Sequence, residues 1–217
     1  MPDQTISSDS SGFVLLSDVV PNIVQEIRYF STYNFVGDRI DGYEEPIALW
    51  TREAAEAFKI VNAEFNKRGL YAKVYDCYRP TTAVDHFMRW DADYDDQRMK
   101  YAFYPDIDKS EVIKRVYIAT RSTHSRGSAI DLTLLDMASG RELDMGGPFD
   151  LFDAISHPDY DGITPAQKAN RELLTDVMVG HGWIPMDNEW WHFTLGDEPY
   201  PDTYFSFPVA LSSIKRI

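Results

Sequence analysis

Ser122-Thr123-His124-Ser125-Arg126-Gly127-Ser128-Ala129-Ile130-Asp131 leads directly into Leu132-Thr133-Leu134-Leu135, and the way this stretch is read decides the fold. Ile130, Leu132 and Leu134 alternate with Asp131, Thr133 and Leu135, which is the period of a β-strand over residues 130–135. Asp131 then stands among apolar neighbours. On a continuous strand the odd step from His124 to Asp131 would turn the two side chains to opposite faces, so they meet only if the chain bends between them. Gly127, inside Ser-Arg-Gly-Ser, supplies that bend.

A second stretch, Glu189-Trp190-Trp191-His192-Phe193-Thr194-Leu195, answers the first. It alternates too, with Trp190, His192 and Thr194 opposite Trp191, Phe193 and Leu195, so His192 can approach from another strand. Cys77 is the only cysteine, which excludes an intrachain disulfide and a thiolate cluster and leaves any metal to histidine and carboxylate. His124, Asp131 and His192 make a three-ligand set for one Zn2+ per chain, with a fourth position left for water. Two neutral imidazoles and one carboxylate leave a net charge of about +1, which preserves acidity toward water. Glu189 is placed to take a proton from that water without ligating. A lone buried histidine is more often a hydrogen-bonding core group. The turn, the isolated carboxylate and the paired Glu and His together favour a metal, whereas His86, His157 and His181 lack such company and read as structural or surface groups.

Around these stretches, residues 23–30 have strand content, and residues 31–48, rich in Gly, Asp, Tyr and Asn, form a long loop suited to a cleft. Thr51 is placed to cap a helix in which Ala54, Phe58, Val61 and Phe65 share a face and Gly69 is the stop. Residues 70–78 alternate as a strand that Arg79-Pro80 ends, and Pro80 opens a helix burying Val84, Phe87 and Met88. Asp91-Ala92-Asp93-Tyr94-Asp95-Asp96 lacks the spacing and central glycine of an EF-hand and reads as a solvated acidic surface. A short helix is expected from 108 or 110 toward 117. Residues 136–163 are loop-dominated, and Thr164-Pro165-Ala166-Gln167 is a capping box for a helix with Ala169, Leu173 and Val177 on one face. The aromatic, Pro-rich tail at 198–205 is expected to pack back on the body. This mixed order favours an α+β fold: a single domain over 1–217, with a central, mainly antiparallel sheet flanked by helices and residues 1–20 as a frayed N-terminal segment.

With 44% hydrophobic residues the chain can fill a core without staples. Its 21 Lys and Arg against 35 Asp and Glu give a formal charge of -14, which opposes the phosphates of nucleic acid and of an anionic bilayer, so neither partner is expected. A site for an anionic group must therefore carry its own cation. No stretch approaches the roughly 18 apolar residues of a membrane span. The start lacks a basic n-region and a long apolar run, so the chain reads as cytoplasmic, or periplasmic where a signal peptide has been removed. Oligomeric state is not written in these patterns.

Together, Ser122 to Asp131 and Glu189-Trp190-Trp191-His192 resemble the two zinc motifs of the D-alanyl-D-alanine dipeptidases, the VanX-type enzymes of vancomycin resistance. Tyr75-Asp76-Cys77-Tyr78-Arg79-Pro80, Asp144-Met145-Gly146-Gly147-Pro148-Phe149-Asp150 and the tail at 198–207 are similar to that family as well. The resemblance implies the fold shared by the hedgehog signalling domain and the D-Ala-D-Ala peptidases. It implies zinc on His124, Asp131 and His192, Glu189 as general base, and Arg79 as stabiliser of the oxyanion. From the residues alone, Arg79 reads as a structural ion pair. Asp150 is implied to meet the substrate ammonium, with Ser122, Asp76 and Tyr29 as further substrate-site residues that touch the substrate or the groups that touch it. Thr123 stands where the family commonly has serine, and a hydroxyl is kept. The implied reaction is hydrolysis of D-Ala-D-Ala, a small zwitterionic D,D-dipeptide. Trp190, Trp191 and residues 136–163 are candidate cleft walls, although aromatic residues at strand spacing are more often core. The alternatives are a zinc D,D-carboxypeptidase or endopeptidase acting on peptidoglycan stem peptides, and a non-catalytic zinc-binding module.

Overall fold

The computed structural model describes residues 5–112 and 121–215. Residues 5–20, expected to fray, are instead built into the body. Strand β1 (Thr5–Ser7) pairs in parallel with Thr203–Phe205 of the tail, and β2 (Phe13–Leu15) pairs with Leu49–Thr51 ahead of a single helical turn, α1 (Leu16–Val19). The strand expected over 23–30 shrinks to β3 (Val24–Gln25), followed by a 3-10 turn at Arg28–Phe30. A distant contact explains the difference: the turn aims the Tyr29 hydroxyl at Asp150, 2.9 Å away.

After β4 (Leu49–Thr51), helix α2 (Arg52–Lys67) buries Ala54, Phe58, Val61 and Phe65 as the periodicity predicts. Thr51 stands at the N-cap as expected, but its side chain makes no capping bond. The Thr51 hydroxyl donates to the Gly127 carbonyl at 2.9 Å, so this residue ties the helix start to the glycine bend. Strand β5 (Leu70–Asp76) and helix α3 (Thr81–Ala92) follow, with Pro80 one place earlier than expected, at the N-cap. The acidic run 91–96 is more than solvated surface. It wraps the buried Lys109 ammonium, which donates to the carbonyls of Asp93 (2.6 Å) and Asp96 (2.7 Å) beside the Trp90 ring. A short helix, α4 (Lys100–Phe103), lies between. Of the helix expected toward 117, a 3-10 turn at Lys109–Glu111 is seen, and residues 113–117 lie outside the described residues.

Strand β6 (Ala129–Asp136) includes the predicted span, and α5 (Pro165–Gly180) begins at the predicted capping box. The buried face of α5 is Arg171, Leu174, Val177 and Met178 instead of Ala169, Leu173 and Val177. The Arg171 guanidinium donates to the carbonyls of Met145, Ile155 and His157, which turns the helix toward that loop. Strands β7 (Trp183–Met186), β8 (Glu189–Leu195) and β9 (Thr203–Phe205) complete the order.

The central sheet runs β3-β5-β6-β8-β7, antiparallel except where β3 joins β5. Helices α2 and α5 pack on it and on each other, giving the expected α+β architecture. Its register places Asp131 across from both His192 on β8 and Asp76 on β5. The sheet centre is thus where the charged residues gather. Among the described residues, no helix is long and apolar enough to cross a membrane.

Candidate active site

His124 sits in a 3-10 turn, Thr123–Arg126, that ends at Gly127 in the left-handed region with φ of 78°. A side chain there is excluded twice over, by that backbone and by the Phe13 ring, whose carbons lie 2.5 Å from where a Cβ would stand. The turn returns the chain into β6 with Asp131 facing His124. The Ser122 hydroxyl accepts from the His124 amide at 3.2 Å and fixes the start of the turn.

Donor atoms of His124, Asp131 and His192 lie within 4.8 Å of one another, and all three residues are buried. His124 Nδ1 is 2.6 Å from the Cys77 carbonyl, an acceptor only, so Nδ1 carries the proton and Nε2 keeps its lone pair. His192 turns Nε2 to the Thr123 (3.1 Å) and Thr194 (3.3 Å) hydroxyls and Nδ1 inward. The inward atoms are close: His124 Nε2 to His192 Nδ1 3.1 Å, His192 Nδ1 to Asp131 Oδ1 3.0 Å, His124 Nε2 to Asp131 Oδ2 3.2 Å. Two ring nitrogens and a carboxylate this near are held either by a shared proton or by a cation lying among them. Ligands about 2.0–2.1 Å from a tetrahedral zinc stand about 3.3 Å apart, so the set fits a metal of that kind. Burial opposes ionisation of Asp131, but the two histidines outweigh it and hold its carboxyl below the usual range.

Glu189 opens β8 and stays outside the donor set, with its carboxylate 3.8 Å from His192 Nδ1. Burial pushes its carboxyl up, His192 pulls it back and Asp131 adds repulsion, leaving it at about 7. A carboxyl there can take and return a proton near neutrality. Arg79 follows β5 and reaches three groups: Asp76 (Nε, 2.9 Å), Asp131 (Nη2, 3.6 Å) and the Ser122 hydroxyl (Nη1, 3.4 Å). The ion pair expected from sequence alone exists, and the same guanidinium lines the cleft.

Asp76 takes the indirect of the two places expected for it. It is 1% exposed and absent from the cleft wall, and it accepts from Arg79 and from the Tyr43 hydroxyl at 2.7 Å. Its place is behind Arg79. Asp150 does line the cleft, buried and in the left-handed region at φ 62°. Such a backbone costs about 1–3 kcal/mol and persists where the surroundings enforce it. Burial, then Asp131, hold its carboxyl well above the usual range, and the Tyr29 hydroxyl donates to it.

The cavity measures about 140 Å³. Besides the residues above, it is walled by Phe35, Phe87 and Phe152, with Arg121, Met186 and Asn188 also lining it. Phe35 and Phe152 come from the two loop regions expected to border a cleft, whereas Phe87, Arg121, Met186 and Asn188 were not anticipated, since nothing in the local pattern marks them. Trp190 and Trp191, candidate walls, are core residues that do not line it. From residues 136–163, Asp150 and Phe152 reach it.

An α+β fold that buries a His-Asp-His set beside a carboxylate and an arginine is that of a metallopeptidase. Residues 9–210 match the family model described as D-ala-D-ala dipeptidase. The chain belongs to that family. Proteins named D-alanyl-D-alanine dipeptidase are 39% identical in Enterococcus faecalis, over 92% of this chain and 99% of theirs, and 39% identical in Streptomyces coelicolor, over 91% and 98%. One from Escherichia coli is 34% identical over 87% of this chain and 86% of its own. Among solved structures, a vancomycin-resistance D,D-pentapeptidase from a VanB-type cassette, in complex with Zn(II), superposes with a TM-score of 0.42 at 16% identity, covering 72% of this chain and 78% of its own.

Proposed function

We propose that this chain is a zinc-dependent dipeptidase that hydrolyses D-Ala-D-Ala. The observation that carries the reading is the convergence of His124, Asp131 and His192 with Glu189 and Arg79 in one small cleft. Relatives carrying that activity in their names, aligned over nearly their whole length, support the substrate. Zinc held by His124, Asp131 and His192 supplies a Lewis acid at the scissile carbonyl and lowers the pKa of water.

The remaining work falls to side chains. Glu189 takes a proton from the attacking water at its carboxylate and delivers it to the departing amine. Arg79, held from behind by Asp76, presents guanidinium N–H groups to the negative charge developing on the carbonyl oxygen. Asp150, with Tyr29 donating to it, receives the substrate ammonium, whose positive charge offsets the burial and repulsion that raise this carboxyl. Ser122 stands beside Arg79 as a further contact. A non-catalytic zinc module has no use for Glu189 or Arg79 in this position. A cytoplasmic location is part of the reading, and cell fractionation tests it against the periplasm.

The experiment is amine release from D-Ala-D-Ala, L-Ala-L-Ala and N-acetyl-D-Ala-D-Ala, with and without chelator. Cleavage of the free D,D-dipeptide alone, abolished by chelator and restored by Zn2+, is expected. Rapid cleavage of the acylated substrate defeats the dipeptidase reading in favour of a D,D-carboxypeptidase or endopeptidase.

A further inference from the structure

We infer that Arg121 pairs with the free α-carboxylate of the substrate and makes the enzyme selective for an unblocked C-terminus. This rests on the dipeptidase reading above. Hydrolysis of a zwitterion in an acidic protein of net charge -14 requires a local cation for the carboxylate. Two arginines line the cleft among the described residues, Arg79 and Arg121. Arg79 is committed: its Nε and Nη2 face Asp76 and Asp131. Arg121 forms no ion pair among the described residues, and its guanidinium lies over the Tyr204 ring, 5.7 Å from the centroid.

Position agrees with availability. A chain of contacts crosses the cleft from Asp150 through the Tyr29 hydroxyl, the Tyr29 ring under Arg79, and Arg79 to Ser122. Arg121 directly precedes Ser122 and lines the same cleft, so a cation with no ion pair among the described residues adjoins the Ser122 end of this chain of contacts, opposite the Asp150 end. The cleft is therefore polarised as a dipeptide is, negative where its amine lies and positive where its carboxylate lies. Arg121 and Ser122 also form part of the wall of a second cavity of about 160 Å³, lined among others by Val84, Asp85 and Tyr204. Asp85 is the carboxylate in that wall, and it makes no ion pair with Arg121. The exposed Arg121 thus keeps its guanidinium for a ligand.

The test compares D-Ala-D-Ala with D-alanyl-D-alaninamide on the zinc-loaded wild type, Arg121→Gln and Arg121→Lys. A charge-assisted contact of this kind is worth about tenfold or more in affinity. Arg121→Gln is expected to raise KM for the free acid about tenfold with kcat nearly unchanged, and to erase most of the preference for acid over amide. Arg121→Lys is expected to keep part of that preference. Unaltered zinc content and Tm accompany these effects. If the wild type cleaves the free acid but Arg121→Gln leaves the acid-to-amide ratio of kcat/KM as it was, the inference is overturned and the dipeptidase reading stands. A wild type that cleaves neither compound overturns both.

Discussion

Glu189 and Asp131 are both carboxylates at the sheet centre, and their surroundings separate their roles. Asp131 is held ionised by two imidazoles, whereas Glu189, desolvated and repelled by Asp131, stays near neutrality and outside the donor set. Glu189→Ala is therefore expected to retain stoichiometric zinc and lose turnover by about 10²-fold or more. Metal analysis beside kinetics checks this, and loss of zinc from the variant would show that base and ligand have been exchanged. At the same scale, Asp76 shows that a motif can name a residue without fixing its reach. It sits three residues from Arg79 and turns inward, so what it contributes is the direction of the guanidinium.

The element that matters most is the turn from Thr123 to Gly127 between Ser122 and β6. Its geometry is fixed from three sides: the Ser122 hydroxyl at its start, the Thr51 hydroxyl on the Gly127 carbonyl, and the Phe13 ring where a Cβ would be. Phe13 is itself held edge-on by Tyr78, Phe205 and Phe207, so the ring has little room to yield. Gly127→Ala combines left-handed strain with overpacking and is expected to cost about 1–3 kcal/mol. In a chain of this length that lowers Tm by about 2–4 °C per kcal/mol. Because the turn carries His124, zinc affinity should fall with Tm. A calorimetric scan and a competitive chelator titration measure the two, and unchanged affinity would mean that the turn does not position the ligand.

For the whole molecule, the donor set links the turn and β6, which follow one another in the chain, to β8, where His192 lies 61 residues beyond Asp131 and is brought beside it by the sheet. An ion bound to all three stabilises the folded state alone, by about 2.7 kcal/mol at a hundredfold excess over Kd. Chelation is expected to lower Tm and readdition of Zn2+ to restore it, and a Tm indifferent to chelator would count against a bound ion. The sequence by itself determined what local chemistry encodes: the periods of β6 and β8, the apolar face of α2, the capping box of α5, the glycine bend, and the residue types fit for a metal and a base. Short-range sterics and periodicity write these into neighbouring residues. Only the tertiary structure decided that Thr51 serves Gly127 instead of its own helix, that Asp76 stands behind Arg79, that residues 5–20 are tied to the tail and β4, and that Phe35, Phe87, Phe152 and Arg121 close the cleft. Apart from Asp76 and Arg79, three residues apart, each of these is a contact between distant segments. Its partner is chosen by how the sheet and helices pack, and nothing within a few residues of either side chain records the choice.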